Sequence, residues 1–182
     1  MASYSTLLVP LINEILLKEI GEANIQPLKW TQVALTRYKF LVDIGDFTET
    51  VTVDFEKLIE PEIKQFFLPQ KYRNLKKVYN VGYAVSGTEL QLVKSDIKTL
   101  LTILSTVVDI VKDFVSKNNI DGLYIKGTPK ELESKDISQK SNLYKAFIKK
   151  QLEQIPNFDF DTYKDRLTHK DGFILIKNNN GQ

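Results

Sequence analysis

The chain has 182 residues, a length one hydrophobic core can support, and its 42% hydrophobic and 26% charged side chains are those of a folded globular chain, not a disordered one. Twenty-five basic residues against 23 acidic ones leave a net charge of +2, and only Arg37, Arg73 and Arg166 are arginine, which argues against a nucleic-acid surface. The absence of cysteine excludes disulfides, thiolate metal sites and a cysteine nucleophile.

At the N-terminus Leu7, Leu8, Leu11, Ile12, Ile15 and Leu16 recur at helical spacing. Ser5 or Thr6 can cap this helix, Pro10 is tolerated in a first turn, and Gly21 supplies a stop. The segment lacks a basic leader, and Asn13 and Glu14 interrupt its apolar run, so it reads as an amphipathic arm over residues 1–26 and not as a signal peptide. After Pro27, two alternating runs follow: Tyr38, Phe40, Val42 and Ile44, then Phe47, Val51, Val53 and Phe55. Between them Gly45-Asp46 places glycine first in a two-residue loop, which predicts a hairpin with a type II′ turn.

Residues 56–77 read as an irregular excursion with room for a helical turn, carrying Pro61, Pro69 and the basic cluster Lys71, Arg73, Lys76 and Lys77. Tyr79, Val81, Tyr83 and Val85 alternate as a third strand, and Ser86-Gly87 can turn it into a short fourth bearing Leu90 and Leu92. Ser95-Asp96 offers a helix cap, after which Ile97, Leu100, Leu101, Leu104, Val107, Val108, Val111, Phe114 and Val115 form a sustained helical stripe ending at Asn118-Asn119. Asp109, Lys112 and Asp113 on this stretch exclude a membrane span, and Ile103 and Ile110 widen its apolar face beyond what a sheet alone would cover. Leu123 and Ile125 mark a strand; Leu143, Tyr144, Phe147, Ile148, Leu152 and Ile155 share the face of a second helix that Pro156 closes; Phe173 to Ile176 is a last strand before a polar tail at 178–182. The whole predicts one α+β domain over 1–182, a mostly antiparallel sheet with a long central helix and a second helix packed on it.

Chemistry-bearing groups are sparse. His169 is the only histidine, which excludes a multi-histidine metal site, and Thr168–Gly172 reads as the turn before the last strand. The carboxylate pairs Glu60/Glu62, Glu131/Glu133 and Asp159/Asp161 fall in polar segments and read as solvated side chains. Lys140, Lys145, Lys149 and Lys150 take the polar face of the second helix, whereas Lys71 to Lys77 can serve for docking. Tyr38, Phe40, Phe47, Phe55, Tyr79 and Tyr83 read as core aromatics, and no glycine-rich phosphate loop appears.

The order of elements over residues 36–177 resembles the GNAT N-acetyltransferases, in which a helix start behind a Q/R-x-x-G-x-G/A loop holds the acetyl-CoA pyrophosphate. The corresponding Leu92-Val93-Lys94-Ser95-Asp96-Ile97 has no glycine, and Asp96 places negative charge where pyrophosphate would sit. Tyr144 is similar in place to that family's general-acid tyrosine. The resemblance is one of topology with the cofactor site absent or lost, and it implies no cofactor. Val78 to Tyr83, Ser105 to Phe114 and Tyr144 also resemble, in sequence texture, a group of bacteriophage proteins. That second resemblance implies a non-catalytic virion or assembly component, in the virion or host cytoplasm, meeting itself or other virion proteins through Leu7, Leu8, Leu11, Ile12, Ile15, Leu16, Lys71, Arg73, Lys76 and Lys77. The alternatives are an acetyltransferase-like enzyme with an atypical acetyl-CoA site and a phage inhibitor of a host protein. The N-terminal stripe must be buried either on its own domain or on a neighbouring subunit, and the neighbour is favoured because two other helices already compete for the sheet.

Overall fold

A computed structural model of the chain describes residues 25–63, 66–67, 74–86, 97–125, 147, 149–165 and 171–178. The sheet begins with β1 (Trp30–Ala34), β2 (Arg37–Ile44) and β3 (Phe47–Lys57), successive antiparallel neighbours. The β2–β3 turn closes with Ile44 opposite Phe47, and Gly45 has φ 63°, the positive first position that a type II′ loop demands and that glycine supplies without strain. After a four-residue helix α1 (Glu60–Ile63) and a two-residue strand β4 (Phe66–Phe67), β5 (Val78–Val85) returns antiparallel to β3. Helix α2 (Ile97–Lys117) then crosses to β6 (Gly122–Ile125), which lies parallel to β5. β7 (Phe158–Asp165) and β8 (Asp171–Lys177) complete, among the described residues, an eight-stranded sheet in the order β1-β2-β3-β5-β6-β8-β7-β4, in which β5–β6 alone of these pairs is parallel. The fold is thus α+β with a mostly antiparallel sheet.

One face of the sheet packs on α2. Tyr38, Phe40, Val42, Val51, Val53, Phe55 and Leu123 lie in one buried cluster with Leu101, Leu104, Val107, Val108, Val111 and Phe114 of the helix. Its aromatic members interlock, with Phe114 stacked on Phe55 at 3.8 Å between ring centroids and Tyr38 and Tyr79 meeting that pair edge-on. Ile103 and Ile110 are also fully buried, because the helix is covered on its far side as well; Phe147, Leu152 and Ile155 belong to the same cluster. Residues 147 and 149–152 are helical, with Lys149 and Lys150 exposed.

The polar groups of α2 have structural work that the sequence pattern left open. Segment 25–29 lies along the helix, where Ser105 Oγ donates to the Ile25 carbonyl and the Leu28 amide donates to Thr106 Oγ1, itself fully buried. Asp109 Oδ2 accepts from Trp30 Nε1 at 2.8 Å, and Asp113 Oδ2 accepts from the Tyr38 hydroxyl and from Lys117. Burial first, then the charge and hydrogen bond of Asp113, pushes the Tyr38 hydroxyl up to about 12.

Several expectations need correction. β1 lies in a stretch not read as a strand, because an edge strand with four of five residues exposed carries no alternation to read. β7 occupies a segment read as polar; its Phe158 and Phe160 are half-buried beside Asp159 and Asp161, and aspartate's low strand propensity hides that alternation. Asp171 and Gly172 belong to β8, not to a turn. Phe47 is 62% exposed, not core, since it sits at the end of the hairpin. The N-terminal stripe, Leu90 and Leu92, Asp96, Glu131 and Glu133, Leu143, Tyr144, Ile148, His169 and residues 179–182 lie outside the described residues.

Candidate interaction surface

The face of the sheet opposite α2 divides into two halves. Around β6 and β8 it is covered by the chain's own excursion: Val78, Tyr124, Ile174 and Ile176 are buried there with Leu58, Ile63 and the half-buried Leu75. Gly122 belongs to this crowded half, where a Cβ would come within 2.9 Å of the Leu175 carbonyl oxygen.

Across β1, β2 and β3 none of the described residues covers the same face. Arg37, Lys39, Leu41 and Asp43 project from β2 with every intervening residue buried beneath them. Opposite them on β3 stand Asp54, Thr52, Thr50 and Thr48, and beyond those the exposed Gly82 and Ala84 of β5. Leu41 is 61% exposed at the centre of this field, and Val33 is 50% exposed on the edge strand. Hydrogen bonds hold the surroundings in place: Arg37 Nε pairs with Asp54 at 2.6 Å, Thr48 Oγ1 donates to Asp43, and Ser86 Oγ donates to Glu49 while accepting the Thr50 amide. Along β2 the charge runs positive, positive, apolar, negative. A central leucine between a lysine and an aspartate, flanked by threonines, glycine and alanine, suits contact with another flat protein surface.

A second feature gathers at the C-terminal end of α2. Asp121 Oδ2 accepts the backbone amides of Lys76 and Lys77, and Lys177 Nζ donates to Asn119. Burial pushes the Asp121 carboxyl up, but the two amides and the charges of Lys77 and Lys177 outweigh it and hold it below the usual carboxylate range. Of the basic cluster read from the sequence, Lys76 and Lys77 are therefore tied by their backbones into a loop brace, with exposed side chains; Lys71 and Arg73 lie outside the described residues. Lysine at this end of a helix also complements its dipole, which accounts for Lys117 without a partner molecule.

Glu62 Oε2 accepts the Ile59 amide at the start of α1. Asp159 is exposed and accepts from Asn178 Nδ2. Among the described residues no group of three or more histidine, cysteine or carboxylate side chains could hold a metal ion, and no helix is long and apolar enough to cross a membrane. Comparison with known proteins gives no match to a family model, a curated protein or a solved structure.

The bare half-face went unnoticed in the sequence, although a signal for it exists. β2 alternates strictly, whereas Gly122–Ile125 and Phe173 to Ile176 are near-continuous apolar runs. Strict alternation is the pattern of a strand covered on one face, and continuous runs that of a strand covered on both.

Proposed function

We propose that this chain is a non-catalytic contact protein that meets protein partners through the outer face of β1–β3. The observation that carries the reading is the contrast between the two halves of one sheet face, one sealed by the chain's own excursion and the other left bare around Leu41. The texture of Val78–Tyr83 and of Ser105–Phe114 supports placing it among bacteriophage virion or assembly components, in the particle or the host cytoplasm. Quantitative mass spectrometry of purified native particles tests that placement: a fixed copy number is expected, and absence from the particle overturns it.

An acetyltransferase-like reading is favoured by a separate observation. Strands β5 and β6 are parallel, joined through α2, and pair over Val78–Val81, where β6 ends at Ile125 while β5 runs on to Val85. The carboxyl ends of neighbouring parallel strands are where open sheets take their ligands. Against it stand the missing glycines before α2 and the charge of Asp96 at the helix start. Titration with acetyl-CoA separates the readings: no saturable binding at millimolar concentration is expected, and a micromolar dissociation constant would promote the enzyme.

A further inference from the structure

We infer that the bare half-face docks a second copy of this chain, sheet on sheet, about a twofold axis that passes over Leu41. The inference rests on the contact-protein reading and on the order of charges along β2. Lys39 and Asp43 flank Leu41 at two residues' distance on either side, all three exposed on the same face. A twofold axis lying between two facing sheets has two limiting directions, along the strands and across them. Along the strands it would set Lys39 over Lys39 of the second copy and Asp43 over Asp43, which is repulsive. Across the strands it sets Lys39 over Asp43 of the second copy and Asp43 over its Lys39, with Leu41 on Leu41 at the centre. Of the two, only the axis across the strands makes the β2 row self-complementary, as an isologous contact requires.

The β3 row agrees with that orientation. On β3 the same axis brings Thr50 opposite Thr50 and Thr48 opposite Thr52, pairs without charge conflict. Arg37 lies further out and is already paired with Asp54. Small side chains here, with Gly82 and Ala84 on β5, let two sheets approach to the usual separation of about 10 Å.

The size of the surface sets the strength. β1 with five residues, β2 and β3 with about eight each and the end of β5 with about four, spaced about 4.8 Å apart at about 3.4 Å per residue, make a face of roughly 400 Å². Two such faces give roughly 800 Å² in all, the size of a weak, transient contact. The dimer is therefore reversible and concentration-dependent, and added salt weakens it.

Sedimentation equilibrium of the full chain tests this. The mass-average should rise from 20.9 kDa in dilute solution toward twice that value as concentration increases. Lys39→Asp and Asp43→Lys, each at an exposed position, should each weaken association by at least about tenfold, because each sets like charges against one another. The double variant carrying both changes should restore it. A chain that stays monomeric at all concentrations overturns the inference, as does a dimer that neither single change weakens, a result that would point to the Leu7–Leu16 stripe instead. If the isolated chain is monomeric yet present at fixed copy number in particles, the inference fails and the contact-protein reading stands.

Discussion

Replacing Leu104 with alanine tests the joint between α2 and the sheet on which the rest of the fold depends. Leu104 is fully buried in the cluster that holds Tyr38, Phe40, Val51 and Phe55 of the sheet. The substitution removes three carbons, worth about 0.8 kcal/mol each in transfer, or about 2.4 kcal/mol, before any cavity is counted. A residual cavity adds about 24 cal/mol per Å³, so a total of about 3–4 kcal/mol is expected, within the range of roughly 2–5 for such changes. In a domain of this size each kcal/mol lowers the midpoint by about 2–4 °C, which predicts a fall of about 6–16 °C by calorimetry or thermal circular dichroism. Val108→Ala, at a position 3% exposed, should be smaller but clearly measurable, and Lys98→Ala on the exposed side should change little. A shift near zero at both Leu104 and Val108 would mean that α2 does not pack on this sheet.

Trp30→Phe removes the donor to Asp109 and leaves a half-buried carboxylate without it, so urea unfolding should show a loss of about 1–3 kcal/mol beyond that of lost ring area. Tyr38, with its hydroxyl pushed up to about 12, favours the fold fully while the unfolded phenol is also neutral; that contribution is lost as pH rises from about 10 toward 12, and Tyr38→Phe should flatten the alkaline limb of the stability profile. Asp121 has the opposite sign: its stabilisation is present above the ordinary carboxylate range and lost as pH falls through its lowered value, so Asp121→Asn should reduce stability at neutral pH and blunt the acid transition. Gly122→Ala would drive a Cβ against the Leu175 carbonyl, and soluble yield or melting temperature should fall although alanine is otherwise the mildest change.

How much of this was legible in the sequence depended on whether a residue's neighbours are near in the chain. The β2–β3 hairpin was legible because Gly45 and the two alternating runs are local. β1 was not, since an edge strand exposed along most of its length carries no burial pattern, and β7 was not, since aspartates occupy alternate positions along it. The roles of Asp109 and Asp113 depend on Trp30 and Tyr38, far away in the chain, and no spacing rule connects them. The candidate surface was hidden for a related reason: whether Leu41 or Tyr124 is covered is decided by where the excursion through Leu58, Ile63 and Leu75 lies. Only the contrast between alternating and continuous apolar strands hinted at it.

The claim that the outer face of β1–β3 is where this chain meets protein can be tested directly because the chain contains no cysteine. A single thiol introduced by Thr50→Cys, opposite Leu41, and another by Ser116→Cys, at the exposed end of α2, would report on two separate surfaces. The rate of maleimide labelling is measured for each in dilute isolated protein and in purified native assemblies. The account predicts that assembly protects residue 50 strongly and residue 116 little; equal labelling of residue 50 in both states would contradict it.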